Sequence, residues 1–390
     1  MSTSLVAVGL ISLVFNLGGG LVSPAVPLYA RQLGADYRDL GLIGVSHGLV
    51  FALLTIPLGR ASDRLGRRTL LLFSTLAVGA AAAAYLVATS VVGLIVGKLV
   101  EAAGWAAFWP ALEAWVAEGF GRRAGTAIGV GYGAYAAAFV IGTSTAGFVI
   151  EGFGIRVPFA MYLGTALATL VLVLVMPGGG APGQHAKDAP VEPARADGPD
   201  DAVARRRRVL GYATGFVYVF GLGTILAFLP AYAVDRGLGP RGVGLLLASY
   251  WTARLLSSLT AGRLSDRWGR RAILVPALLI SAAGALLVAM PAGSATLFAG
   301  TMGLGLTAGA CAPACVGLLA DHARPADRGI VMGLFEGACG LAFIVAGVVG
   351  GQTAEALGPE VPYLLVAGLA LGWTVVLARQ LPRGPARRSA

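Results

Sequence analysis

Charge is scarce in this chain. Aspartate, glutamate, lysine and arginine together make up only 12% of its residues, about half the roughly 25% usual in soluble domains, and this excludes a solvated globular surface. Cysteine is nearly absent. Cys311, Cys315 and Cys339 all fall in apolar stretches, where an odd count excludes a disulfide framework and leaves them as small, reduced packing residues. Histidine is as rare, and no His/Asp/Glu spacing suits a metal, no Gly-x-x-x-x-Gly-Lys could cradle a phosphate, and no Ser/His/Asp set occupies the loops. An enzyme, an ATP-driven machine and a bound cofactor or metal are therefore not expected. The net charge of +10 invites a nucleic-acid reading. Its densest run, Arg205 to Arg208, stands directly before an apolar segment, where arginines anchor a membrane helix, so no nucleic acid is expected as a partner.

What the chain has in excess is apolar length. Hydrophobic residues reach 57% and mean hydropathy is +0.78. Stretches long enough to span a bilayer, about 17–25 residues each, lie near 6–30, 40–58, 69–88, 91–117, 125–150 and 157–176, then near 209–234, 242–261, 272–290, 294–320, 329–354 and 361–379. With no water in the bilayer to satisfy the backbone, such runs must be helices or barrel strands, and their unbroken apolarity excludes the alternating strands of a barrel. The expected fold class is all-α and integral to the membrane, with twelve transmembrane helices. Residues 177–208, with Gly178 to Gly180, Pro182, Pro190, Pro193, Pro199 and the arginine run, cannot bury themselves and read as a linker. The expected units are thus 1–176, a linker at 177–208, and 209–390 ending in a short basic tail. Placing both termini and the linker in the cytoplasm puts 22 of the 29 basic residues inside, as the positive-inside rule demands. A multi-pass protein of the inner (cytoplasmic) cell membrane follows. The first segment lacks a basic n-region and carries Gly18 to Gly20, Pro24 and Pro27 in a full-length span, so it reads as helix 1 and not as a signal peptide.

The chain is also duplicated. Gly59 to Arg68 reads Gly-Arg-Ala-Ser-Asp-Arg-Leu-Gly-Arg-Arg, and Gly262 to Arg271 repeats it with Leu and Trp at the variable positions, 203 residues later. The same offset pairs Gly18 with Gly221, Gly20 with Gly223, Pro27 with Pro230, Tyr29 with Tyr232, Gly41 with Gly244, Pro110 with Pro313 and Glu118 with Asp321. A period this long is not that of a solenoid; it is the internal duplication of many membrane transporters. In each string the glycines (Gly59 and Gly66, Gly262 and Gly269) allow close backbone approach. Asp63 and Asp266 can accept charge-assisted bonds from an arginine or a helix N-terminus. Arg64, Arg67, Arg68, Arg267, Arg270 and Arg271 supply the donors, so each string reads as a latch that forms in one conformer and breaks in another.

These strings resemble the helix 2–3 and helix 8–9 loop motifs of the major facilitator superfamily, and the likeness spans the whole chain. Lys98 to Gly104, Lys-Leu-Val-Glu-Ala-Ala-Gly, is similar to that superfamily's helix 4 motif Arg-x-x-Gln-Gly-x-Gly, with lysine for arginine and Glu101 for glutamine. Leu17-Gly18 followed by Pro24-Ala25-Val26-Pro27 resembles the Leu-Gly-x5-Pro-Val-x-Pro of twelve-helix drug:proton antiporters. The antiporters' helix 5 Gly-Pro-x-x-Gly-Gly stands here as Gly142 to Gly147 without the proline. The resemblance implies two six-helix bundles related by a pseudo-twofold, a substrate site between them lined by helices 1, 4, 7 and 10, and alternating access by a monomer. The matched glycines and prolines of helices 1 and 7 read as softened or broken stretches marking that site.

Six ionisable side chains fall well inside the expected helices: His47, Lys98, Glu101, Glu113, Arg254 and Glu336. Each charge there costs about 2.5–3.5 kcal/mol on insertion scales. Lys98 and Glu101, three apart, predict an ion pair; Arg254 and Glu336, at equal depth, are plausible partners. Three carboxylates against two permanent cations leave one acid neutral or paired with His47, so Glu101 or Glu113 is the expected carrier of a coupling proton. Aromatics crowd the same region: Trp105, Phe108, Trp109 and Trp115 on helix 4, with Tyr132, Tyr135, Tyr218 and Trp251 nearby. If a subset of them lines the cavity, they suit an amphiphilic ligand better than a small hydrophilic anion, although Lys98 could instead receive an anion. The expected partners are a small organic substrate, protons and the lipid bilayer, with export the leading reading and uptake of a metabolite by symport the alternative.

Overall fold

The structure, a computed structural model, describes residues 3–120, 124–175, 201–324 and 327–382, and within its helices the side chains at 3, 4, 56, 59, 60, 62–64, 117–119, 124–126, 201, 266, 328 and 329, those of Asp63, Arg64 and Asp266 among them, lie outside the described residues. The described residues form twelve helices: α1 Thr3–Gln32, α2 Tyr37–Leu65, α3 Arg67–Val87, α4 Val91–Phe120, α5 Ala124–Phe153, α6 Val157–Val175, α7 Asp201–Asp235, α8 Pro240–Trp268, α9 Arg270–Ala289, α10 Ser294–Asp321, α11 Arg328–Leu357 and α12 Val361–Gln380. Eleven are long and apolar enough to cross a membrane. The twelfth, α8, falls short because Arg241, Arg254, Arg263, Asp266 and Arg267 lie along it.

The packing obeys one symmetry operation. In the first bundle α1 packs on α5 and α6, α3 on α4 and α6, and α2 on α4; in the second, α7 packs on α11 and α12, α9 on α10 and α12, and α8 on α10. Adding six to each helix number converts one set into the other. The two seams between the bundles, α2 against α11 and α5 against α8, exchange under the same operation. Two six-helix bundles are therefore related by a pseudo-twofold that runs between the seams. The correspondence reaches individual bonds. Ser74 Oγ donates to the Gly104 carbonyl at 2.8 Å, and Thr307 Oγ1 donates to the Ala277 carbonyl at 2.7 Å. Positions 74 and 277, like 104 and 307, stand at the repeat offset, so the bond persists while its donor has changed sides.

The repeated strings owe their second glycine to the backbone. Gly66 and Gly269 alone separate α2 from α3 and α8 from α9, each at φ 89°. This is a left-handed conformation strained for any side chain. At the start of α2, Asp36 Oδ1 accepts the Asp39 N–H at 2.8 Å and Asp39 Oδ2 accepts the Asp36 N–H at 3.3 Å, a reciprocal capping box.

Two expectations are corrected. Helices α1 and α7 run unbroken through Pro24, Pro27 and Pro230. Their glycines are points of close approach. A Cβ on Gly20 would stand 3.0 Å from the Ala138 carbonyl of α5, one on Gly19 2.5 Å from Trp105, and one on Gly223 3.1 Å from Ala346 of α11. Helix α7 also begins at Asp201, eight residues before the expected boundary at 209. Alanines and arginines are good helix formers, and Arg206 Nε donates to Gln380 Oε1 at the end of α12 at 3.3 Å. The remainder of the expected linker, 177–200, lies outside the described residues.

Candidate functional site

At the face opposite the termini both seams are shut. On the α2–α11 seam a Cβ on Gly347 would stand 2.5 Å from the Gly41 carbonyl, and on the α5–α8 seam one on Gly147 would stand 2.7 Å from the Pro240 carbonyl. Only glycine lets the helices come this close. Just beyond, Glu355 at the end of α11 accepts the N–H of Tyr37 at the start of α2, and Glu151 at the end of α5 accepts the N–H of Arg241 at the start of α8, both at 3.2 Å. Each carboxylate thus caps unpaired amides of the other bundle at the positive end of a helix. Pro240 has no N–H, so the second contact falls on Arg241. Asp235, at the end of α7, joins the bundles again. It accepts from Arg31 Nη2 at 3.1 Å and from the Tyr37 hydroxyl at 2.7 Å, while the Arg31 guanidinium covers the Tyr37 ring at 5.4 Å.

Toward the terminus-bearing face, Gly129 and Gly133 on α5, Gly262 on α8 and Gly337 on α11 have nothing within 4 Å of where a Cβ would stand. Here the repeated strings make contacts within a bundle. Arg270 donates through Nε and Nη2 to Asp321 Oδ2 at 3.2 and 3.0 Å and through Nη1 to Ser265 Oγ at 2.8 Å, tying α8, α9 and α10 together. Arg271 donates to the Leu381 carbonyl beyond α12 at 3.1 Å, and its counterpart Arg68 donates to the Leu174 carbonyl near the end of α6. The last arginine of each string thus fastens the last helix of its own bundle. Gly59 lies within α2, Arg67 opens α3 and Arg267 occupies the last turn of α8.

Two clusters of ionisable groups occupy the interior. In the first, Lys98 Nζ donates to Glu101 Oε2 at 2.8 Å, as expected, and the Tyr85 hydroxyl donates to the same oxygen at 2.5 Å. Glu101 is only 3% exposed; its charge is matched and enclosed. His47 is within electrostatic reach of both. Its ring stacks on Phe51 at 6.1 Å and meets Phe343 of α11 edge-on at 5.9 Å.

The second cluster crosses between the bundles. Glu113 accepts from the Tyr132 hydroxyl at 2.7 Å and is within electrostatic reach of Glu336 of the other bundle. Tyr132 stacks on Trp109 at 4.6 Å yet stays 46% exposed, and Glu336 lies within its electrostatic reach. The expected pair of Arg254 with Glu336 is not formed. Equal depth fixes height but not azimuth: α8 packs on α5 and α10, whereas α11 packs on α2 and α7. Arg254 instead lies over Trp251 at 4.9 Å and Tyr135 at 5.9 Å. An aromatic ladder leads to it, from Trp109 to Tyr135 at 5.5 Å and from Tyr135 to Trp251 at 5.4 Å. Phe139 sits beside the ladder, 4.2 Å from Trp251 and 6.0 Å from Trp105. Sequence reasoning named most of these aromatics one by one but missed Phe139 and the crossing from α4 through α5 to α8. The signal was present as the spacing of Tyr132, Tyr135 and Phe139 along one stripe of α5.

The profile of the Major Facilitator Superfamily matches residues 8–242 and 211–390. An uncharacterized MFS-type transporter of Methanocaldococcus jannaschii is 23% identical over 349 residues, 88% of this chain and 89% of the relative. The quinolone resistance protein NorA of Staphylococcus aureus is 25% identical over 160 residues, 41% of each chain. Among solved structures, a D-xylose-proton symporter superposes with a TM-score of 0.79 at 14% identity, over 97% of both chains.

Proposed function

This chain belongs to the major facilitator superfamily, a multi-pass membrane transporter of small molecules and not an enzyme, and from that premise we propose that it exports small organic or amphiphilic molecules in exchange for protons. Glu113 is the proposed carrier of the proton. The observation that carries this reading is that Glu113 and Glu336, on different bundles, lie within electrostatic reach and that among the described residues neither is joined to a cation. Two like charges there oppose each other's ionisation, so the pair can take up and release a proton as the gap opens to one side and then the other. Glu101, the other expected carrier, is held by Lys98 and Tyr85, which supports a structural role for it.

In this reading the terminus-bearing face is cytoplasmic, as the arginine bias favours, the protein acts as a monomer, and its two rocking units meet at the segment 177–208. The state described is open to the cytoplasm. The strings at 59–68 and 262–271 keep each bundle rigid and, through Asp63 and Asp266, close the cytoplasmic side in the opposite state. Similarity to NorA favours export; likeness of fold to a proton symporter keeps uptake as the second reading. Proteoliposomes with an imposed pH gradient separate the two. Accumulation inside right-side-out vesicles under an inward proton gradient overturns export, and undiminished coupling in Glu113→Gln removes Glu113 from the role of carrier.

A further inference from the structure

We propose that the transported molecule is an organic anion with an aromatic body, its carboxylate or sulfonate received by Arg254 and its ring by the aromatic ladder at the α5–α8 seam. This rests on reading the chain as a transporter with its substrate between the bundles. Of the two permanent cations inside the helices, Lys98 has its carboxylate at 2.8 Å, while Arg254 has none among the described residues. Its Nη1 is buried with no hydrogen-bond partner, and so is Nε1 of Trp251 three residues away. The charged and titratable groups around the guanidinium are the phenols of Tyr135 on α5, Tyr218 on α7 and Tyr250 on α8, the last within hydrogen-bonding reach of the guanidinium. One turn of α8 therefore gathers a charge and a second buried donor with no anion to receive them.

An uncompensated charge in such a place is costly, and Arg254 is one of the residues that make α8 the least apolar of the spans. A guanidinium's planar fork matches a carboxylate through two parallel bonds. The ring faces of Trp251 and Tyr135 already hold its plane at 4.9 and 5.9 Å. A flat apolar body fits against Tyr132, which is 46% exposed.

The test is equilibrium binding of radiolabelled 1-naphthoate to the full-length protein in nanodiscs, with competition by the neutral 1-naphthamide and the cationic 1-naphthylmethylammonium. The expected result is that 1-naphthoate binds at least about thirty-fold more tightly than either competitor, the low end for a buried charge-assisted pair. Arg254→Met abolishes the preference, and Arg254→Lys keeps part of it. In the absence of ligand Arg254→Met leaves the melting temperature unchanged or raises it, because a lone charge has been removed; a marked fall would reveal a structural arginine and overturn the proposal. So would equal binding of the amide, or a preference that survives in Arg254→Met. The assay carries no proton gradient, so anion binding without pH-driven flux sinks the coupling reading alone. Coupled flux of the cation only sinks the anion site alone.

Discussion

Replacing Asp235 with asparagine tests whether contacts at the face opposite the termini hold the bundles in the described state. The ion pair with Arg31 is about one-third exposed, at 36% and 34% for the two side chains, so it contributes at most about 1 kcal/mol. The bond from the Tyr37 hydroxyl is more valuable, since Tyr37 is only 6% exposed and a hydrogen bond to a charged acceptor contributes about 1.5–3 kcal/mol. Asparagine keeps an acceptor oxygen but not the charge, which leaves a neutral bond of about 1 kcal/mol. The net loss is about 0.5–3 kcal/mol, all of it charged to the closed state because the contact spans the two bundles. At about 1.4 kcal/mol per decade, the ratio of open to closed forms at this face rises roughly 2- to 140-fold. Spin labels on Gln32→Cys at the end of α1 and Leu357→Cys at the end of α11 would read this by double electron–electron resonance. Cys311, Cys315 and Cys339 are buried and need not be removed. A distance distribution in Asp235→Asn identical to that of the parent refutes the reasoning.

Other outcomes follow from the same geometry. Glu101→Gln should lower stability by about 3–5 kcal/mol by leaving Lys98 without its partner; an unfolding transition that does not move in that variant contradicts the assignment of the pair as structural. Gly147→Val should keep the face opposite the termini from closing, since even its Cβ would stand 2.7 Å from the Pro240 carbonyl; the spin-label pair should then report the long distance, and transport should stop. Gly66→Ala and Gly269→Ala should each cost about 1–2 kcal/mol, and by similar amounts, because both hold φ 89°. Gly164→Ala, where nothing lies within 4 Å, serves as the control, and a cost there equal to the other two discredits the backbone argument.

The duplication, the twelve spans and the Lys98–Glu101 pair were legible because each depends on spacing along the chain. What escaped depends on rotation about a helix axis and on which helices are neighbours. Arg254 and Glu336 stand at one depth but on helices that pack elsewhere, and no count of residues distinguishes that from a pair. Gly18 and Gly20 read as weak points of a helix, whereas their meaning lies in α5 and α6, which approach from distant sequence. The partner of Glu113 is Tyr132, nineteen residues away on the next helix; the phenol was in view, but its direction was not. The arginine run in the first turns of α7 looked like unstructured linker because its charge masked its good helix propensity.

The two carboxylates that reach across the seams, Glu151 and Glu355, grip peptide N–H groups and, among the described residues, no side chain of the partner helix. A main-chain amide survives every substitution except proline, so positions 37 and 241 can drift without loosening these grips, while positions 151 and 355 cannot. At these two grips tolerance to mutation should therefore be one-sided, with the sensitivity on positions 151 and 355 and little on the peptide donors, while Tyr37 is constrained separately by its hydroxyl bond to Asp235.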